Sequence, residues 1–111
     1  LERMSCIKEL QNIQSDAEFY QRLEDFYGSG MEVIETIPAA YAILLRSNGR
    51  PKQTAMLCAN MSGDSDTIGA IATAIAGSMN PEFDTADITV LKEENNIDFD
   101  DYTEKLIRYV K

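Results

Sequence analysis

The segment Asp66-Thr67-Ile68-Gly69-Ala70-Ile71-Ala72-Thr73-Ala74-Ile75-Ala76-Gly77-Ser78-Met79 decides the fold class. After Asp66 it contains no charged side chain, and its apolar residues Ile68, Ala70, Ile71, Ala72, Ala74, Ile75 and Ala76 cover the whole circumference of a helical wheel. β-Branched Ile also suits a strand. The Ala and Gly content and the lack of period-2 alternation favour a helix. A helix apolar on every side belongs in a packed interior, so this one is expected to be the most buried element of an all-α fold.

The neighbouring stretches extend the same pattern. Leu1, Met4, Ile7, Leu10 and Ile13 follow helical spacing, which predicts a first helix to about Gln14. Ser15 followed by Glu18 forms a capping box for a second helix with Phe19, Leu23 and Phe26 on one face, and Gly28 ends it. From Val33 to Arg46 the chain is apolar almost all round. Pro38 either lies in the first turn of a helix capped by Thr36 or kinks one that began earlier. Asn48-Gly49 makes a turn, and Pro51 starts a fourth helix to about Asn60 with Ala55, Met56 and Ala59 facing in. Beyond Pro81, Asp84 to Glu94 forms a shorter helix around Ile88 and Leu91. Asp100 or Asp101 caps a last one carrying Tyr102, Leu106, Ile107 and Val110. Residues 28–83 hold only five acids (Glu32, Glu35, Asp64, Asp66, Glu82) and three bases (Arg46, Arg50, Lys52), so the middle is core and the flanks are solvated. No repeat or linker divides the 111 residues, which form one unit.

Composition removes several functions. With no His there is no Ser-His-Asp triad, imidazole base or His-ligated zinc within the chain. A net charge of -9 repels phosphate backbones and anionic lipid, so neither nucleic acid nor a membrane surface is expected as a partner. Cys6 and Cys58 form no CxxC pair and are expected to be reduced in apolar surroundings. The longest apolar run, Ile68 to Gly77, is shorter than the ~20 residues of a membrane span, and no signal peptide opens the chain, which reads as cytoplasmic.

Chemistry concentrates in Asn60-Met61-Ser62-Gly63-Asp64-Ser65-Asp66-Thr67, between two apolar helices. Two carboxylates two residues apart and a hydroxyl at a helix start can turn several oxygens towards one point. Such donors suit a hard cation, Mg²⁺ first, with Mn²⁺ or Ca²⁺ also admitted. Gly63 permits a tight backbone approach. On spacing alone, simple N-capping explains such a pattern more often than metal binding does. One acid suffices for a cap, however, and a second in nearly apolar surroundings needs a partner.

The run Asn60 to Gly77 closely resembles the C-terminal signature of the ADP-ribosylglycohydrolase family, in which asparagine and an apolar residue precede Gly-Gly-Asp-x-Asp-Thr and a small-residue helix ending in Ala-Gly. Upstream, Glu35-Thr36-Ile37-Pro38-Ala39-Ala40 is similar to that family's Glu-Ser-Val-Pro-Ala-Ala helix start. The resemblance covers Gly28 to Gly77 well and the flanks loosely. It implies an orthogonal multi-helix bundle, the C-terminal part of the ADP-ribosylglycohydrolase fold, and a pair of Mg²⁺ or Mn²⁺ ions. It also implies hydrolysis of the glycosidic bond between ADP-ribose and an acceptor, carried by an ADP-ribosylated protein or a small-molecule conjugate. By motif match, Asp64, Asp66 and Thr67 are the metal ligands, and no catalytic residue is assigned within the chain.

Two departures bear on these expectations. Ser62 stands where the family usually has Gly, and the family's other half-site, a Thr-Asp-Asp cluster, lies in an upstream region that this chain lacks. Asp100-Asp101 follow Phe99 and come after Asp64 in the chain, so they read as caps. The chain is expected to be the C-terminal third of a longer enzyme, inactive alone and needing that N-terminal region as a partner. The alternative is a non-catalytic helical module that binds ADP-ribose or another protein. Glu35 supports a helix start at least as well as it would reach a ligand. Asn60 is read as structural, Tyr20, Tyr27 and Tyr41 as core, and Met56 and Met61 as filler around the site.

Overall fold

The structure, a computed structural model, describes residue 4 and residues 7–110. Among them the chain forms α1 (Ile7–Leu10), α2 (Asp16–Phe26), α3 (Val33–Arg46), α4 (Pro51–Ala59), α5 (Ser65–Met79), α6 (Thr85–Asn95) and α7 (Phe99–Ile107), with no strand. The fold is all-α, as the sequence predicts. No helix among the described residues is long and apolar enough to cross a membrane.

Helix boundaries follow local chemistry. Ser15 caps α2 and accepts the Glu18 N–H at 3.5 Å. α3 begins at Val33, with the Glu32 carbonyl accepting from Glu35 and Thr36, so Pro38 lies inside a helix that started earlier and Thr36 is not its cap. Asn48 adopts a left-handed conformation (φ 52°), and the Gly49 N–H closes a Schellman bond to the Leu44 carbonyl at 3.0 Å. α1 ends four residues before the expected Gln14, because the Ile13 and Gln14 carbonyls turn to the Arg46 guanidinium at 2.6 and 3.3 Å. The same guanidinium pairs with Asp16 at 2.7 Å and lies 4.6 Å over the Phe19 ring, tying the α1–α2 connection to the end of α3. Leu1 and Cys6 fall outside the described residues. Asp98, not Asp100 or Asp101, caps α7, accepting from both of their N–H groups at 3.1 and 3.2 Å. Asp98 is the last extended residue and alone has the geometry to reach back to the first free amides.

The core gathers Ile7, Leu10, Phe19, Leu23, Tyr27, Ala39, Ala40, Ala42, Ile43, Cys58, Met61, Ile68 and Ala72. α5 packs on α4 and α3. Its buried residues are Ile68, Ala72 and Ala76, one stripe at a spacing of four, while Ala70 and Ala74 are exposed. The expectation that α5 is the most enclosed helix is therefore corrected: α3 is, burying Thr36, Pro38, Ala39, Ala40, Ala42, Ile43 and Leu44. Two neighbours cover one side of α5, and its outer face carries small residues that expose little apolar area each.

α4 also presents a different face from the expected one. Thr54 and Cys58 are buried, whereas Ala55, Met56 and Ala59 are exposed. Thr54 can be buried because its hydroxyl meets Ser47 Oγ at 2.6 Å and the Arg50 carbonyl at 2.8 Å. Hydrophobicity alone rotates this helix wrongly. Burial pushes the free Cys58 thiol up to about 11, which keeps it neutral and unreactive near pH 7. Tyr27 is buried and Tyr20 half-buried, but Tyr41 is 44% exposed and is not core. Phe26, placed with Phe19 and Leu23 by the sequence, faces out, as do Tyr102, Leu106, Ile107 and Val110 around α7.

The burial stripe on α5 makes a direct prediction. Ala72→Arg introduces an unpaired charge at a fully buried position and should abolish cooperative unfolding, whereas Ala74→Arg should shift stability by less than about 0.5 kcal/mol. Urea unfolding monitored by circular dichroism checks both. Equal damage from the two variants would contradict the one-sided burial of α5.

Candidate metal centre

The loop between α4 and α5 is built residue by residue. Asn60 closes α4 and its amide N–H donates to the Met56 carbonyl at 2.8 Å, the structural role expected of it. Met61 is buried under the loop, while Met56 is 56% exposed. Gly63 has φ +81°. Asp64 follows at φ -81°, ψ 61°, and the Ser65 N–H returns to the Gly63 carbonyl at 2.9 Å. Asp64 is thus the centre of an inverse γ-turn, a conformation common where a loop meets a regular element.

The turn bears on the capping explanation of the motif. Asp64 occupies the N-cap position of α5, yet its carboxylate makes no capping hydrogen bond to the helix. The two carboxyls come together instead. Asp66 is held below the usual carboxylate range, first by a hydrogen bond with the Asp64 carboxyl and then by the backbone N–H groups of Thr67 and of Asp66 itself. Two carboxylates side by side repel unless a proton or a cation lies between them. Asp64 is half-buried, and Asp66 and Thr67 are exposed at the open end of α5. The oxygen donors suit a hard divalent cation, so the donor chemistry fits Mg²⁺ or Mn²⁺.

Among the described residues no third Asp, Glu, Cys or His joins this pair. Asp100 and Asp101 stay at the start of α7, beside Lys92 at 3.6 Å and Lys105 at 2.6 Å. Glu35 accepts the Gly30 N–H at 3.0 Å, which gives it a supporting role at the loop before α3. Sequence reasoning passed over Ser29. It is buried (2% exposed), and its carbonyl accepts the Asp64 N–H at 2.6 Å. Its setting between Gly28 and Gly30 is a signal of close backbone approach, but nothing in the sequence says what approaches.

The family model for ADP-ribosylglycohydrolase matches residues 2–82, and the chain belongs to this family. It is 35% identical over 106 residues to "Uncharacterized protein YegU" of Escherichia coli (strain K12), an alignment covering 94% of this chain and 32% of that protein. The chain thus spans about a third of the length of this relative. No solved structure gives a significant match.

The loop geometry predicts unequal responses at two glycines. A Cβ at Gly63 would run into the Ser29 backbone carbonyl at a positive φ, whereas one at Gly69 would meet the Cys58 Cβ at 3.4 Å within a helix. Gly63→Ala should cost about 1–3 kcal/mol, while Gly69→Ala should change stability by no more than about 1 kcal/mol in either direction. Thermal unfolding of the two variants checks this; a neutral Gly63→Ala would show that the loop is not held against Ser29.

Proposed function

We propose that this chain supplies one half of the divalent-metal centre of an ADP-ribosylglycohydrolase. That enzyme hydrolyses the glycosidic bond between ADP-ribose, or a related nucleoside-type sugar, and an acceptor. The observation that carries the reading is the Asp64 γ-turn, which leaves its carboxylate uncommitted to capping and sets it beside Asp66 at an exposed helix start. Membership of the family supports the reaction class.

In this reading Asp64, Asp66 and Thr67 would hold Mg²⁺ or Mn²⁺, two ions in the complete protein. Bound there, the metal supplies Lewis-acid stabilisation of developing charge and a means of orienting water and ribose hydroxyls. The chain's own contribution is to fix two carboxylates and a hydroxyl at the start of α5 and to concentrate negative charge there. That concentration lets an acidic protein, with net charge -9, take an anionic diphosphate ligand only through a bridging cation. Two carboxylates and one hydroxyl are too few to fill two hard-cation shells of about six oxygens each, so the remaining ligands come from the upstream region of the full-length enzyme and from water. The 111 residues alone are therefore inactive and bind metal weakly.

In the full-length protein, Asp66→Asn should weaken Mn²⁺ binding about 10-fold or more and reduce hydrolysis of an ADP-ribosylated substrate in parallel, because charge is lost while shape is kept. Unchanged metal titration would overturn the assignment. The isolated chain with Mg²⁺ should show no turnover until the upstream region is added as a separate polypeptide. Turnover by the chain alone would refute the half-site. ADP-ribose binding by the full-length protein without hydrolysis would instead favour a non-catalytic binding module.

A further inference from the structure

Ser65 of α5 closes the γ-turn and the Asp64 carbonyl accepts the Ile68 N–H at 3.1 Å, but the Asp64 carboxylate does not cap that helix and the Asp64 N–H is left free by it. That N–H is held from across the fold. The Asp64 N–H donates to the Ser29 carbonyl at 2.6 Å, and Gly63 lies so close that a Cβ there would fall 2.8 Å from the Ser29 Cβ. Ser29 is in turn fixed on both sides. Its hydroxyl donates to the Glu24 carboxylate near the end of α2, and the next residue, Gly30, is clamped by Glu35 at its N–H and by the Thr36 hydroxyl at its carbonyl, each at 3.0 Å. Gly28, at φ +75°, returns its N–H to the Leu23 and Glu24 carbonyls. The residues 28–30 thus form a strut between α2, α3 and the metal-site loop.

We propose that Ser29, anchored by Glu24, is a positioning residue that holds Asp64 in its γ-turn and so orients the carboxylate pair for the cation. The role rests on the metal reading given above, and it concerns residues that the family's DxDT signature does not include. Ser29 does not touch the cation. It acts through the Asp64 backbone, and the hydroxyl–Glu24 bond keeps its carbonyl in place. Glu24 is exposed, so truncating it removes the anchor without opening a cavity in the core.

The test uses the full-length protein and Mn²⁺ as the probe, followed by electron paramagnetic resonance titration, with thermal unfolding of the metal-free protein alongside. Ser29→Ala and Glu24→Ala should each weaken Mn²⁺ binding about 10-fold, the range seen when groups that orient metal ligands are removed. The double variant should be no weaker than either single one, because both remove the same hydrogen bond. Glu24→Gln, whose amide oxygen still accepts from the hydroxyl, should bind Mn²⁺ within about 2-fold of the parent, since a single neutral hydrogen bond is retained. The metal-free unfolding midpoint of Glu24→Ala should stay close to that of Glu24→Gln. Wild-type Mn²⁺ affinity in Ser29→Ala and Glu24→Ala, with affinity lost in Asp66→Asn, overturns the positioning role and leaves the metal reading intact. Loss in Glu24→Gln equal to that in Glu24→Ala also overturns it, because charge rather than the hydrogen bond would then matter. Undiminished binding in Asp66→Asn overturns the metal reading and the positioning role together.

Discussion

The close packing of α5 onto α3 and α4 is the constraint on which the site depends. Ala39, Ala40 and Ala42 on α3, and Ala72 and Ala76 on α5, are all almost fully buried, and Gly69 lies where even a Cβ would be 3.4 Å from Cys58 on α4. Small side chains on these faces let the helix axes approach, and larger ones would drive the helices apart at a cost typical of overpacked interiors, about 1–3 kcal/mol for each insertion. With α5 seated this way, its first turn arrives beside the loop that precedes α3. Gly63 and Ser29 can then meet, and Asp64 takes its N–H bond from outside its own helix.

Electrostatics arranges the rest of the acidic surface differently. Asp84 and Asp98 accept amides at the starts of α6 and α7, where an anion also complements the helix dipole. Lys52 reaches Asp87 at 2.9 Å and Asp84 at 3.8 Å, all three exposed, so these contacts orient α6 near α4 more than they stabilise it. Asp64 differs, since it stands at the N-cap position of α5 without a side-chain capping bond. Of the three aspartates at N-cap positions, Asp84 and Asp98 cap their helices, and Asp64, which does not, carries the proposed chemistry with Asp66.

The apolar surface is distributed unevenly. α2 and α3 bury their large side chains around Phe19, Leu23 and Ile43, but Met31, Val33 and Ile34 at the start of α3 face outward, and α6 and α7 bury none of their residues. Residues 83–111 also lie beyond the family match, although the Escherichia coli relative aligns with 94% of the chain. The best-packed part of the molecule, the junction of α3, α4 and α5, is thus also the part that carries the family signature.

The sequence by itself determined the helical class, the capping of α2 by Ser15, the turn at Asn48-Gly49 and the special backbone at Gly63. Each depends on interactions within a few residues. It also marked Asp64, Asp66 and Thr67 as one group, because their spacing and the uncharged helix after them are local facts. It misjudged which face of α4 is buried, since Thr54 enters the core only by finding Ser47 from another segment. It overestimated the enclosure of α5, since a small-residue helix gives the same apolar pattern whether one side or every side is covered. Only the tertiary structure decided that Asp64 does not cap its helix and that Ser29 fastens it. That bond joins residues 35 positions apart, and a hydrogen bond to a backbone carbonyl leaves no trace in the identity of the residue that offers it.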